Sequence, residues 1–376
     1  MAREILFYSD FPFGYHNTEA ETKMALFADR GYRVVYVEQL GIKNPRLRHA
    51  IRIARALGRH EESGGPPGLS VVSPKLLPPR RAPLVDSLNR AWLRRQLLSR
   101  LETPDEAIFW LRYPTPELIP LVERADPRLV VYEVVDAHER SRGMTQRLAR
   151  VFRRAEDRLL TRADVVFAWS EPLRAQLATR HPNVVLAPAA VHLAAFAAAS
   201  DEGRPRGRVA AYTGSLDFRL DIDLLVEVIG RLPAWSFVFA GPVESQIERR
   251  LAAFPNAVFH GPVPPEEVPA ILTAADVCLM PYRQDGFTQN LFPIKLVEYL
   301  AAGKPVVSTP LPCLRAFGSA IRVADHASAF ADATESAVAE DSSDRRRDRV
   351  ERASSFSWEK RIDEMEQEIE RALRAS

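Results

Sequence analysis

The chain has only two cysteines among its 376 residues, Cys278 and Cys313, which excludes a disulfide framework and a cysteine-built zinc cluster. It has no apolar run near the roughly 18 residues of a spanning helix. No charged segment followed by an apolar one precedes the first strand-like run, Ile5-Leu6-Phe7-Tyr8, so no signal peptide is expected. Neither charge sign prevails: Lys+Arg is 51 and Asp+Glu is 49, a net charge of +2, which rules out a globally basic nucleic-acid binder. No short-period repeat is present. These absences lead to the expectation of a reduced, cytoplasmic protein, soluble or peripheral on the inner face of a membrane.

Hydrophobic residues make up 46% of the sequence, enough to fill two cores, and the length suits two domains. Short apolar runs alternate with helical patterns throughout, the signature of parallel sheets with crossover helices. One series runs through 5–9, 33–37, 107–111, 129–135, 165–168 and 184–187. A second runs through 208–212, 236–240, 258–259, 277–280, 306–307 and 321–323. Thr18-Glu19-Ala20-Glu21 fits a capping box opening a helix that ends at Arg30-Gly31. The Ala-rich, then charged stretch 189–207 is the linker candidate. This reading predicts an α/β protein with one domain over 1–188 and another over 208–355. The final segment, 356–376, is a helix with Trp358, Ile362, Met365, Ile369 and Leu373 at helical spacing, predicted to pack back on the first domain.

The second series carries most of the candidate chemistry. Tyr212-Thr213-Gly214-Ser215 joins a strand to the helix from Asp221. There, Gly214 would let the backbone approach a phosphate, and Arg219 would clamp a diphosphate or simply lie on the surface. Asp221-Ile222-Asp223 has the form of a metal-binding DxD but is read as a helix N-terminus, because no further cluster completes a site. Ala240-Gly241-Pro242 closes a strand in a tight turn. A run from Pro281 to Thr309 includes Tyr282, Asn290, Lys295, Leu296 and Glu298, then Gly303 and the apolar Val306-Val307. Lys295 and Glu298 lie three apart on one helix face, where a cation and a carboxylate can meet a phosphate and a ribose or merely pair with each other.

In the first series, Asp136 follows an apolar strand in Val131-Tyr132-Glu133-Val134-Val135-Asp136-Ala137-His138. Strand ends of this kind border the crevice of an open sheet. An Asp here can act as a base or cap the next helix. His138 and His16 are alternative bases. Residues 43–60 hold Lys43, Arg46, Arg48, Arg52, Arg55 and Arg59 with no acid. Four of these arginines form one helical stripe, which suits an anionic membrane surface or an ordinary surface helix.

The run 281–309, with Ile108–Pro116 and Val131–His138, resembles group 1 glycosyltransferases of GT-B architecture. It is most similar to bacterial polysaccharide transferases of the teichuronic-acid and xanthan-glucuronosyl kind. The resemblance implies two Rossmann-like domains with parallel sheets facing a central cleft. It also implies a nucleotide-sugar donor, UDP-linked in preference to GDP- or dTDP-linked, a glycan, lipid-linked or small-molecule acceptor, and no metal or other cofactor. Carried onto this chain, Lys295 meets the donor diphosphate, Glu298 the ribose, and Phe259 to Gly261 the base, with Asp136 as the catalytic base. Where the common motif has a first glutamate, this chain has Asn290, which hydrogen-bonds but carries no charge. A nucleotide-sugar epimerase of the same fold and a non-catalytic scaffold subunit are the alternatives.

Overall fold

In the computed structural model, the structure describes residues 3–14, 19–38, 65–77, 83–137, 144–201 and 207–375. His16, His138 and the basic stretch 43–60 lie outside the described residues.

The chain divides into two compact units. The first comprises residues 1–169, 173–187 and 362–376; the second comprises 170–172 and 188–361.

Seven parallel strands form the sheet of the first unit: β1 (Glu4–Tyr8), β2 (Arg33–Val37), β3 (Leu69–Val72), β4 (Ile108–Leu111), β5 (Leu129–Val134), β6 (Val165–Ala168) and β7 (Val184–Leu186). Their order is β3-β2-β1-β4-β5-β6-β7. Every residue of β1, β4, β5 and β6 is buried, because helices cover both faces of a parallel sheet and the strands become continuous apolar runs. An aromatic cluster fills the space under helix Glu19–Asp29. Phe27 meets Trp110 edge-on at 5.4 Å, and Trp110 meets Phe167 at 5.6 Å. The end of the last helix, Trp358–Ala375, belongs to this unit: Arg30 pairs with Asp363 at 2.5 Å and Glu366 at 2.6 Å.

The second unit repeats the plan with six parallel strands: β8 (Val209–Thr213), β9 (Ser236–Ala240), β10 (Ala257–Gly261), β11 (Val277–Met280), β12 (Val306–Ser308) and β13 (Ile321–Val323). Their order is β10-β9-β8-β11-β12-β13. In both sheets the order reverses between the first strand and the fourth, β1/β4 and β8/β11. Ligands of open α/β sheets bind beyond the carboxyl ends of such a pair.

Two elements differ from the sequence reading. β3 does not figure in the first series, since Leu69-Ser70-Val71-Val72 is a four-residue edge strand behind the Gly/Pro-rich turn 65–68. The stretch 189–207, read as linker, contains helix Leu193–Asp201. That helix packs on helices Val268–Ala274 and Ile294–Ala301 of the second unit, anchored by buried Phe196. Its alanines are strong helix formers, and composition alone hid that behind the charged residues that follow. The Asp-rich and Arg-rich tract before the last helix is itself helical over Ser343–Ser354, with Ser342 accepting from the backbone N–H of Arg345.

Candidate active site

Three glycines end three adjacent strands of the second unit. Gly214 after β8, Gly241 after β9 and Gly261 closing β10 all have positive φ: 111°, 146° and 69°. They interlock through their backbones. Gly214 N–H donates to Ala240 O at 2.7 Å, and Gly241 N–H donates to Gly261 O at 2.7 Å. A Cβ on Gly241 would stand 2.2 Å from Gly214 O, so glycine is required there by space as well as by backbone conformation. Beside them Phe259 stacks on buried Phe239 at 5.4 Å, an apolar shelf at the sheet's edge, while His260 is exposed.

Lys295 comes to the same place from helix Ile294–Ala301. A Cβ on Gly214 would lie 2.9 Å from its Nζ, so the ammonium rests directly on the glycine that ends β8. Nζ donates to Tyr212 Oη at 2.9 Å and to Tyr282 Oη at 3.1 Å. It also lies 4.4 Å from the centroid of the Tyr212 ring. Lys295 is buried, and its ammonium is held by two phenol oxygens and the face of the Tyr212 ring. Its helix begins after Pro293 with no side-chain cap and no acid in the first turn. Leu296 N–H turns back to Pro293 O at 3.0 Å, and the first N–H groups of a helix, which lack an intrahelical partner, favour an anion.

One turn further on, Glu298 is half-buried, and its carboxylate makes no hydrogen bond among the described residues. Burial pushes its carboxyl up to about 7, against the opposing pull of Lys295. Leu296 and Tyr299 face the core. Leu296 is fully buried, and Tyr299 Oη accepts from Thr213 N–H at 2.8 Å, tying the helix to the end of β8.

Arg219 and Asn290 are engaged otherwise than the sequence suggests. Arg219 makes a two-pronged pair with Asp217, Nε to Oδ1 at 2.8 Å and Nη2 to Oδ2 at 2.7 Å. The fork that would grip a diphosphate is filled by a carboxylate. Asn290 is buried, and its Nδ2 donates to Gly286 O at 2.7 Å, closing the loop ahead of the lysine helix. Asp285 shapes the same loop by accepting from the N–H groups of Phe287 and Thr288 at 2.9 Å. Asp221 is the cap of helix Ile222–Arg231, accepting from Leu224 N–H at 3.0 Å, and Asp223 pairs with Arg250. No trio of His, Cys, Asp or Glu among the described residues is arranged to hold a metal ion.

Asp136 lies just past β5 in the first unit. It lines a cavity of about 60 Å³ with Phe152, Arg153, Glu156, Gln176 and Arg180. It is not the cap of the next described helix, Gln146–Arg162, whose start is capped by Thr145 through Leu148 N–H.

Residues that sequence reasoning missed sit at the β1/β4 switch point. Lys23, Glu133 and Arg112, with Asp10 and Glu19, form a buried cluster of five charged groups. Lys23 joins Glu133 and pairs with Glu19 at 2.8 Å; Arg112 reaches Glu19 at 3.1 Å and Asp10 at 3.4 Å. The indole N–H groups of Trp110 and Trp169 donate to the two Glu133 oxygens at 2.8 Å each. Burial pushes the Glu133 carboxyl up, but Lys23 and Arg112 prevail and hold it at about 2. Lys23 and Glu133 stand 110 positions apart, so no local pattern announces their pairing. Tyr212 and Tyr299 were likewise legible only as strand and helix residues, not as partners of Lys295 and Thr213.

Residues 207–340 match the family described as "Glycosyl transferases group 1". Over 226 residues the chain is 30% identical to a Bacillus subtilis (strain 168) protein, TuaH, whose name assigns it to teichuronic acid biosynthesis as a glycosyltransferase. That alignment covers 55% of this chain, and the chain spans 56% of that relative. Among solved structures, sucrose-phosphate synthase from Thermosynechococcus elongatus superposes with a TM-score of 0.74 at 16% identity, over 100% of both chains. Anabaena HepE, solved in complex with UDP, superposes with a TM-score of 0.68 at 13% identity, over 98% of this chain and 99% of its own. No helix among the described residues is long and apolar enough to cross a membrane. The glycine strand ends and the lysine helix thus fall inside the segment that matches the group 1 glycosyltransferase family, in a chain with the GT-B fold.

Proposed function

We propose that the protein transfers a sugar from a nucleoside-diphosphate donor, UDP-linked, to a hydroxyl of a glycan or lipid-linked acceptor. The observation that carries this reading is the Lys295 ammonium resting on Gly214 beside the uncapped start of its own helix. A cation, a glycine backbone and the start of an uncapped helix converge where a diphosphate would lie. Glu298, one turn away and with no hydrogen bond to its carboxylate among the described residues, is suited to ribose hydroxyls, and the Phe259 shelf to a base. The UDP in the HepE structure and the name of TuaH support the donor class and a role in polysaccharide synthesis.

In this reading the acceptor oxygen attacks the anomeric carbon, and the bond from that carbon to the diphosphate breaks. The departing negative charge is met by Lys295 and the helix N–H groups, so the reaction needs no metal. Asp136 takes the acceptor proton. Arg219 contributes to the diphosphate only if Asp217 releases it. The protein acts in the cytoplasm, peripheral to the membrane that holds a lipid-linked acceptor.

The test is sugar transfer from a panel of UDP-sugars, with nucleotide binding followed in parallel. Asp136→Asn is expected to lower kcat roughly 10²- to 10⁴-fold while UDP binds as before. An Asp136→Asn variant as fast as the wild type removes Asp136 from the mechanism. A wild type that binds UDP yet turns over no donor on any hydroxyl acceptor contradicts the enzymatic reading.

A further inference from the structure

Helix Pro83–Leu98 of the first unit is fixed on one side and unused on the other. Its inner face buries Asn89, Leu93, Gln96 and Leu97. Asn89 clamps the backbone of Leu77, accepting from its N–H at 2.7 Å and donating to its carbonyl at 2.8 Å. Gln96 does the same to Lys75, at 3.2 Å in each direction. Four hydrogen bonds to one neighbouring segment set the rotation of the helix, so its outer side chains cannot turn inward.

That outer face carries Leu84, 83% exposed, and Leu88, 61% exposed, one turn apart, followed by exposed Ala91. The stripe ends in Arg94 and Arg95, both exposed and neither in an ion pair among the described residues. The helix has one acid, Asp86, and Arg90 neutralises it at 2.5 Å. A lone exposed leucine is ordinary, but two on one stripe running into unpaired arginines form the pattern of an interfacial helix. Charge selects the occupant. Arg80 and Arg81 immediately precede the helix in sequence. A second copy of this chain would set like charges against one another, whereas anionic headgroups complement them.

We propose that this face docks on an anionic lipid surface, with Leu84 and Leu88 entering the headgroup boundary and Arg94 and Arg95 meeting phosphates. The proposal deepens the membrane-peripheral placement proposed above and stands apart from sugar transfer, so a chain that fails to float can still bind and turn over a UDP-sugar. The test is flotation of the full chain with vesicles of phosphatidylcholine alone, or with about one-third phosphatidylglycerol. The wild type is expected to float with the anionic vesicles only. Leu84→Gln with Leu88→Gln is expected to lower the partition coefficient about tenfold with an unchanged melting temperature, since both side chains are exposed. Arg94→Gln with Arg95→Gln is expected to flatten its salt dependence. Three outcomes overturn the proposal: a wild type that stays with neither vesicle, a double-glutamine variant that floats like the wild type, or a dimer that the leucine changes abolish without any flotation.

Discussion

The two units have sheets of the same order and fill the same switch point in opposite ways. Beyond β1 and β4 stand five charged groups that pair with one another, with Asp10 Oδ1, Glu19 Oε2 and Arg112 Nε left without a hydrogen bond; beyond β8 and β11 stand glycines, one lysine and phenols. The first arrangement has already neutralised its cations with Asp10, Glu19 and Glu133, so an incoming diphosphate finds no free positive charge there. The second sets Lys295 on Gly214 with hydrogen bonds, among the described residues, to two phenol oxygens and to no carboxylate. One topology thus carries a cluster of paired charges at the strand ends of one unit and glycines with a single lysine at those of the other, and side chains rather than fold set that difference.

The sharpest way to break this comparison is to unlock the first unit. Glu133→Ala leaves Lys23 and Arg112 buried beside an absent partner and is expected to cost about 3–5 kcal/mol of stability, read by denaturant unfolding. Glu133→Gln adds a pH signature. A carboxyl held at about 2 in the folded state contributes stability that is complete above its unfolded value of about 4.3 and is lost as pH falls through about 2. The gap between wild type and Glu133→Gln is therefore expected to be widest near neutrality and to close in acid.

In the second unit, backbone geometry gives the next largest effect. Gly241→Ala drives a Cβ into Gly214 O at 2.2 Å, where nothing can yield but main chain. Gly214→Ala meets the flexible end of Lys295. The first is expected to cost about 3 kcal/mol and the second distinctly less, though the second should impair nucleotide binding more.

Glu298 sharpens the contrast through pH. Its folded value near 7 lies above the unfolded one, so its contribution to stability is full in acid and is lost as pH rises through about 7. Glu298→Gln is expected to raise the melting temperature at pH 8 and leave it unchanged at pH 4, with UDP affinity less dependent on pH than in the wild type. The smallest effect is Asp221→Ala, the loss of one helix cap, about 1 kcal/mol by thermal unfolding, with no change in metal dependence.

Much of this was legible in sequence because parallel strands buried on both faces are unbroken apolar runs, as at Val165–Ala168 and Val277–Met280. Gly214, Gly241 and Gly261 were legible as strand-end glycines, and Lys295 with Glu298 as a helix face. What was hidden depends on partners brought together by folding. Glu133 reads as an interruption in a strand until Lys23 and two indoles meet it. Arg219 reads as a phosphate clamp until Asp217, two residues back, is seen to occupy it. Asn290 reads as a sugar contact until its amide is found closing its own loop.

The central claim, that Lys295 on Gly214 is the anion seat, is tested most directly by thermal shifts with UDP, GDP and dTDP on the wild type and on Lys295→Ala. A nucleotide at about 100 times its dissociation constant adds about 2.7 kcal/mol of stability. The account predicts a shift with UDP in the wild type that Lys295→Ala abolishes. A shift of equal size in both proteins, or none with any of the three nucleotides, contradicts it.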